Sequence, residues 1–381
     1  MKKFAAWTML LALLLSSCAL PPSLTPAETE KQQAVKQPTE LYVVTSYGGN
    51  DGNRGDFEAA VKAYESATGN MVIDGSATSN EGWKAKVLAD FETGSEPDVL
   101  FFFTSADVDP IIKAKRVVSI EEIRLLFPDY AANMKQSMLA QAEDGNHYAV
   151  PSAGYWENLF VNKRVLEACG VALPGADYTW EQFLIDCETI KNCGYIPIAC
   201  SLYEVPHYLF EFAVMNNGTL EDHLQVPALD EAGNLISDEA AQSWIGALQD
   251  IRSLYQMGYF PGNTLTAANA QTVSLFAEGE AAFLIDGSWQ VGYFSEHHSE
   301  HLADYAVSCV PAKGSRQATE AIGGISMGYF ITRKAWENPE KREAAVEFVM
   351  HLTSDEVLST FIRTEVTALK DGASPEGLNS S

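Results

Sequence analysis

Strand-like and helix-like segments alternate from residue 41 onward, and that order limits the fold more than any other feature of the chain. Leu41-Tyr-Val-Val-Thr45 is a short β-branched run, after which Phe57, Val61 and Tyr64 recur at helical spacing until Gly69 offers a C-cap. Met71-Val-Ile73 comes next, then a helical stripe through Trp83, Val87 and Phe91. The apolar run Pro97-Asp-Val-Leu-Phe-Phe-Phe103 closes the series and reads as a buried strand. A β-α-β-α-β order predicts a mostly parallel sheet covered by helices on both faces.

Further helices are marked by their ends. Ser119 with Glu122, and Thr179 with Gln182, have capping-box spacing. The second pair precedes Trp180, Phe183, Leu184, Cys187 and Ile190, with a stop near Gly194. Trp244, Leu248, Ile251 and Tyr255 form another stripe ending at Gly258, and Asn338-Pro339 sets an N-cap and a first-turn proline ahead of Val346, Phe348, Val349 and Leu352. The body beyond the first 38 residues has roughly 340 residues, above the size at which a single core usually stops growing, so two lobes are expected.

The first residues read as export machinery. Lys2 and Lys3 precede an apolar run of 12 residues, Phe4 to Leu15, whereas a bilayer span needs roughly 20. Leu15-Ser-Ser-Cys18 then matches the lipoprotein pattern, so residues 1–17 are expected to leave as a signal peptide and Cys18 to carry the acyl chains. Two or three such chains anchor firmly where one would not. Residues 18–38, rich in Pro, Thr, Glu, Gln and Lys, read as a flexible tether. The expected location is the extracytoplasmic face of the bacterial cell membrane, through the lipid anchor only.

The formal charge is −26, or −28 without Lys2 and Lys3, which repels phosphate backbones and argues against a nucleic-acid partner. Five cysteines follow Cys18, namely Cys169, Cys187, Cys193, Cys200 and Cys309. An odd number leaves at least one thiol unpaired, and the lack of Cys-x-x-Cys gives no sign of zinc or redox chemistry. Pairing of Cys187 or Cys200 with Cys193 and free buried thiols all remain open.

Three enzyme-like signals are weak. Gly324-Ile-Ser-Met-Gly328 fits Gly-x-Ser-x-Gly, but a nucleophile elbow needs a helix after the serine and Met327-Gly-Tyr-Phe-Ile-Thr332 reads as a strand. His297 and His301 flank Glu300, yet position 298 is His instead of the metalloprotease glutamate. Asp286 and Glu157 could face each other across a cleft as a glycosidase pair.

Four stretches in order resemble the carbohydrate-binding lipoproteins of ATP-driven importers, the extracellular solute-binding family 1 that includes maltose-binding proteins. They are Glu96-Pro-Asp-Val-Leu-Phe-Phe102; Tyr148 through Lys163 to Phe183; Phe276 to Trp289; and Gly323 through Phe348 to Ser354. The resemblance implies a periplasmic-binding-protein-like α/β fold of class II, with two lobes, mostly parallel sheets, hinge-crossing strands and closure by hinge motion. Lobe one would hold residues 39–150 plus 307–358, and lobe two residues 151–306 plus 359–381. Relatives continue for several helices beyond the stretch matching Phe361 to Lys370, so lobe two is expected to be truncated or trimmed.

A pyranose offers an apolar face and a rim of hydroxyls, and its site needs an aromatic plate and carboxylates or amides. Trp289, where the family places a stacking tryptophan, is the leading plate, with Asp286 just before it; packing in the core is the competing reading. The resemblance further implies ligand roles for Tyr47, Gly48, Asn50 and Asp51 after the first strand, for Phe102 at the end of the third, for Tyr155 and its neighbour Glu157, and for Glu204, His207 and Tyr208 in a loop facing the cleft. The helical stripe of Trp83 favours core packing. The expected function is therefore capture of a sugar or oligosaccharide for the permease subunits of an ABC importer, by a monomer without cofactor, metal or enzymatic activity. The alternatives are a lipid-anchored glycoside hydrolase and a metal- or polyamine-binding relative on the same fold.

Overall fold

The computed structural model describes residues 38–49, 51–361 and 366–370. The predicted opening alternation is present. Strands β1 (Glu40–Val44), β2 (Met71–Asp74) and β3 (Val99–Phe103) are separated by helices Arg54–Thr68 and Glu81–Thr93. The first helix ends as anticipated, with Gly69 left-handed and its N–H donating to Glu65 O. Ser119, Thr179 and Asn338 all accept from backbone N–H groups as N-caps, of helices Ile120–Arg124, Trp180–Asn192 and Pro339–Leu352.

The remaining strands are β4 (Ala153–Asn162), β5 (Ile196–Ala199), β6 (Ala281–Gly287), β7 (Tyr305–Ser308), β8 (Ile322–Gly324), β9 (Met327–Ile331) and β10 (Val366–Thr367). Two sheets form, β2-β1-β3-β9 and β10-β4-β6-β5, the second extended by β7 and β8 on β4. In the first, β1 runs parallel to β2 and β3, and only the late strand β9 is antiparallel. The second sheet is mixed, because the ten-residue β4 runs against β6, β7, β8 and β10 while β5 and β6 are parallel.

Strand alternation sorts the core. Val99 and Phe101 of β3 enter a cluster with Leu41, Phe57, Tyr64, Ile331 and Phe348. Leu100 and Phe102 enter the opposite one with Val44, Trp83, Phe91 and Phe330. In the second lobe Leu159 and Val161 of β4 join Phe183, Leu209 and Phe212 on one face, and Phe160 joins Phe276 and Phe294 on the other. The central strands β3, β4 and β6 are thus covered on both sides, which is why they read as apolar runs, while the edge strand β2 stays largely exposed.

The chain crosses between lobes near 150–153, 324–327 and 366–369. At the first two, Val150 and Tyr329 exchange backbone bonds of 3.0 and 2.8 Å, while β4 and β8 belong to the other sheet. Two expected boundaries move. The return to lobe one lies after residue 324 instead of at 307, because β7 and β8 pair with β4 and Val310 packs in the second core. Of the tail assigned to lobe two, Ala368 and Leu369 are buried in the first core. Ser326 lies between β8 and β9, and the strand predicted after it is β9. All five described cysteines are free. Cys193 lies beside Cys169, and burial together with Cys193 pushes the Cys169 thiol up to about 11.

Candidate functional site

One wall of the space between the lobes is built from three elements of lobe two. Strand alternation puts Tyr155 and Glu157 on the face of β4 that carries Leu159 and Val161 inward. Helix His207–Asn217 packs on that face through Leu209, Phe212 and Met215. Its residues Tyr208 and Glu211, three apart, share a helix side. Strand β6 then ends at Gly287, and Trp289 opens helix Trp289–His297. The indole lies over Gly287 so closely that any Cβ there would overlap it. Tyr155 and Tyr208 flank the indole, with ring centroids at 6.1 and 5.6 Å and tilts of 36° and 47°. Trp289 stays half-buried, so it is neither a sealed core residue nor a free surface one.

Carboxylates surround these rings. Glu157 is 4 % exposed, and its Oε2 is buried without a hydrogen-bond partner among the described residues. Burial, with Glu211 and Asp286 adding like charge, pushes its carboxyl up to about 8. Asp286 is fully buried and occupied, accepting from Gly287 N at 2.8 Å, Gln290 Nε2 at 3.0 Å and Asn269 Nδ2 at 3.2 Å. Burial raises it to about 6 against those bonds. The same carboxylates act on the tyrosines: burial, then Glu157 and Glu211, lifts Tyr155 to about 12. Tyr208 is held well above the ordinary phenol range by burial and by Asp286, Glu157, Glu211 and Glu204.

The lobe-one wall is mostly backbone. Gly48 lies against the main chain of Ala77, where a side chain would collide, and the Asp51 carboxylate accepts from Asn53 N at 2.8 Å. Directly after Asp51, Gly52 meets lobe two. A Cβ at Gly52 would lie 2.8 Å from the Cα of Gly292 in the 289–297 helix. Glu81 and Lys84, at the start of helix Glu81–Thr93, act across the gap on His207, an exposed residue whose imidazole is pushed down by desolvation and Lys84 against the opposing pull of Glu211 and Glu81. Lys84 is itself bound to Glu81 at 2.9 Å and Asp107 at 3.5 Å, and stands 4.4 Å above the Phe103 ring.

Several expected ligand residues are placed otherwise. Tyr47 points into the first core, stacked on Phe101 at 4.9 Å with its hydroxyl 3.2 Å from Ser152 Oγ. Phe102 is fully buried against Trp83, and alternation leaves Phe103 as the partly exposed aromatic of that strand. Trp83 is likewise core. Glu204 caps a helix, its Oε2 accepting from Asn269 N at 2.6 Å at the start of Asn269–Ala277. His207 and Tyr208 belong to a helix, not a loop. Asp286 and Glu157 sit on paired strands of one lobe, since Asn158 faces Asp286 and Glu157 faces Gly287, so they do not oppose each other across the gap. Asn50 and Cys18 lie outside the described residues. Tyr155, Glu157, Tyr208, Asp286 and Trp289 are brought together. Glu211 was missed, though a helical reading of 207–217 sets it four residues after His207 and three after Tyr208.

A family model described as bacterial extracellular solute-binding protein matches residues 59–371. Among solved structures, a chitin oligosaccharide binding protein aligns with a TM-score of 0.74 at 18 % identity, covering 89 % of this chain and 84 % of its own. A maltose-bound MalE3 of T. maritima aligns at 0.69 and 19 %, with 87 % and 82 % covered. The GacH receptor of Streptomyces glaucescens GLA.O, solved unliganded and with acarbose, aligns at 0.68 and 17 %, with 87 % and 80 % covered. No curated protein sequence matches. At these identities the structural likeness establishes the two-lobed α/β fold.

Proposed function

Because this chain belongs to the bacterial extracellular solute-binding proteins, we propose that it binds a sugar or oligosaccharide between its lobes and delivers it to the permease subunits of an ABC importer. The observation that carries this reading is the half-buried Trp289 flanked by Tyr155 and Tyr208 beside buried carboxylates. A pyranose lays its C–H face on such a plate and offers its hydroxyls to acceptors around it. The state of Asp286 supports binding over hydrolysis, since a carboxylate sealed from solvent and accepting from Gly287, Gln290 and Asn269 is poorly placed to attack a glycosidic carbon or activate water. Gly48 and Gly52 close over the ligand from lobe one, with closure favoured because only the closed form contacts the sugar from both sides.

The test is a thermal-shift screen over mono- and oligosaccharides. A ligand at 100 times its Kd stabilises the native state by about 2.7 kcal/mol, which at least one saccharide should show, and it should be recovered without new reducing ends. A flat response across the panel sinks the reading. The lipid anchor is tested separately: Cys18→Ala should move the protein from the membrane fraction to the medium or periplasm, and unchanged detergent-dependent fractionation would refute anchoring.

A further inference from the structure

We propose that the sugar taken by this site carries a protonated amine, which sits against Glu157 and Glu211 within the ring formed by Tyr155, Tyr208 and Trp289. The inference rests on the sugar-binding reading and narrows it. Its first ground is Glu157: a carboxyl 4 % exposed whose Oε2 has no partner is a costly arrangement for an empty protein, and it identifies a place where a donor is missing. The second is the sign of everything that acts on it. Glu211 from the 207–217 helix and Asp286 from β6 both add negative charge, and the titratable neighbours Tyr155 and Tyr208 are phenols held neutral. Of the other two carboxylates Asp286 is saturated, Glu211 has His223 at 3.3 Å and acts on His207, and among the described residues no lysine or arginine pairs with the cluster. Lys84, the cation acting on His207, is committed to Glu81 and Asp107.

A neutral hydroxyl would hydrogen-bond the protonated Glu157 carboxyl yet leave its ionisation opposed by burial, Glu211 and Asp286. An ammonium removes both penalties together, and the faces of a tryptophan and two tyrosines add cation–π attraction. Among the described residues no three His, Cys, Asp or Glu side chains are arranged to hold a metal ion, so an organic cation fits the cluster better than a bare one. Binding would also draw the proton off Glu157, whose carboxyl is largely protonated near neutral pH.

The experiment compares three β-1,4-linked trisaccharides that differ only at C2: cellotriose with hydroxyls, N,N′,N″-triacetylchitotriose with neutral amides, and the free glucosamine trimer with ammonium groups. Titration calorimetry at pH 5.5, where the amines are ammonium and Glu157 still holds its proton, should show the glucosamine trimer binding at least tenfold more tightly than cellotriose. Its heat should vary with the ionisation enthalpy of the buffer as a proton is released, and the cellotriose heat should not. Glu157→Gln, checked by its melting transition, should abolish both the preference and the proton release; Glu211→Gln supplies the same comparison if the first variant does not fold. Cellotriose or the acetylated trimer binding as tightly as the amine form overturns the proposal and leaves the sugar reading standing. A preference untouched by the glutamine variants also overturns it. Binding of spermidine without any trisaccharide, or no binding at all, overturns the sugar reading and this inference with it.

Discussion

The two walls of the candidate site are made of different material. Lobe one contributes turns and glycines, Gly48 pressed on Ala77 and Gly52 on Gly292, while its aromatic residues Tyr47, Phe102 and Trp83 are spent on its own two-faced core. Lobe two contributes side chains: three rings and two carboxyls, Glu157 and Asp286, lifted out of their ordinary titration range. The contrast assigns chemical selection to lobe two and closure to lobe one. It also makes opposite predictions for residues of similar type on the two sides.

The largest expected effect is on stability in lobe one. Phe102→Ala should destabilise the native state by about 3–5 kcal/mol, the usual result of emptying a sealed aromatic site, with little change in ligand affinity for the molecules that remain folded. Denaturant unfolding and a titration on the same sample separate the two quantities. A loss of affinity without a loss of stability would return Phe102 to the ligand and erase the contrast.

Next comes the pH dependence of stability. The Glu157 carboxyl is raised to about 8 in the native state, against an unfolded value near ~4.3. The native state therefore holds a proton that the unfolded chain has released, so Glu157 contributes a loss of stability as pH rises between about 4.3 and 8. The slope for one proton is at most about 1.4 kcal/mol per pH unit. Asp286, raised to about 6, acts in the same direction over the lower part of that window. Unfolding free energies of Glu157→Gln measured from pH 5 to 8 should lack this decline, and parallel profiles for variant and parent would show that the carboxylate is not strained.

Trp289→Ala probes lobe two in the converse sense to Phe102→Ala. Affinity should fall by roughly 1.5–3 kcal/mol, about ten- to a hundredfold in Kd, with the melting transition nearly unmoved because a half-buried ring leaves no sealed void. A collapsed melting temperature with unaltered affinity would make Trp289 core.

What could be read from the chain follows the range of the interactions involved. Caps at Ser119, Thr179 and Asn338, the Gly69 stop and the β-α-β-α-β opening all depend on residues within a few positions of one another, and all are present. Choosing between Phe102 and Phe103 required knowing which face of β3 is sealed, and a run of apolar residues buried on both sides carries no such mark. The lobe boundary near 324 and the shared lobe of Glu157 and Asp286 both depend on which strands β4 pairs with, a long-range property set by β6, β7 and β8. Glu211 was lost for a local reason. The resemblance implies a loop at Glu204, His207 and Tyr208, whereas helix His207–Asn217 starts directly after Pro206, where a proline is tolerated because the first-turn N–H groups have no intrahelical acceptor.

The smallest predicted effect tests closure itself. Gly52 and Gly292 approach so closely that a Cβ on Gly52 would lie 2.8 Å from Gly292 Cα, and one on Gly292 would lie 3.1 Å from Gly52 Cα. Both obstacles are backbone, which cannot swing aside as a side chain would, so either alanine holds the lobes apart by a few tenths of an ångström. Gly52→Ala should weaken ligand binding several-fold, on the order of 1 kcal/mol. Gly292 adds a discriminating sign, because it lies inside helix Trp289–His297, where alanine is favoured over glycine by roughly 0.5–1 kcal/mol. Gly292→Ala should therefore raise the stability of the unliganded protein while lowering its affinity. As the two residues touch, the double variant should lose less affinity than the sum of the single losses. Affinity unchanged in both single variants would mean that this contact plays no part in the ligand-bound form, and the closing role assigned to lobe one would fall with it.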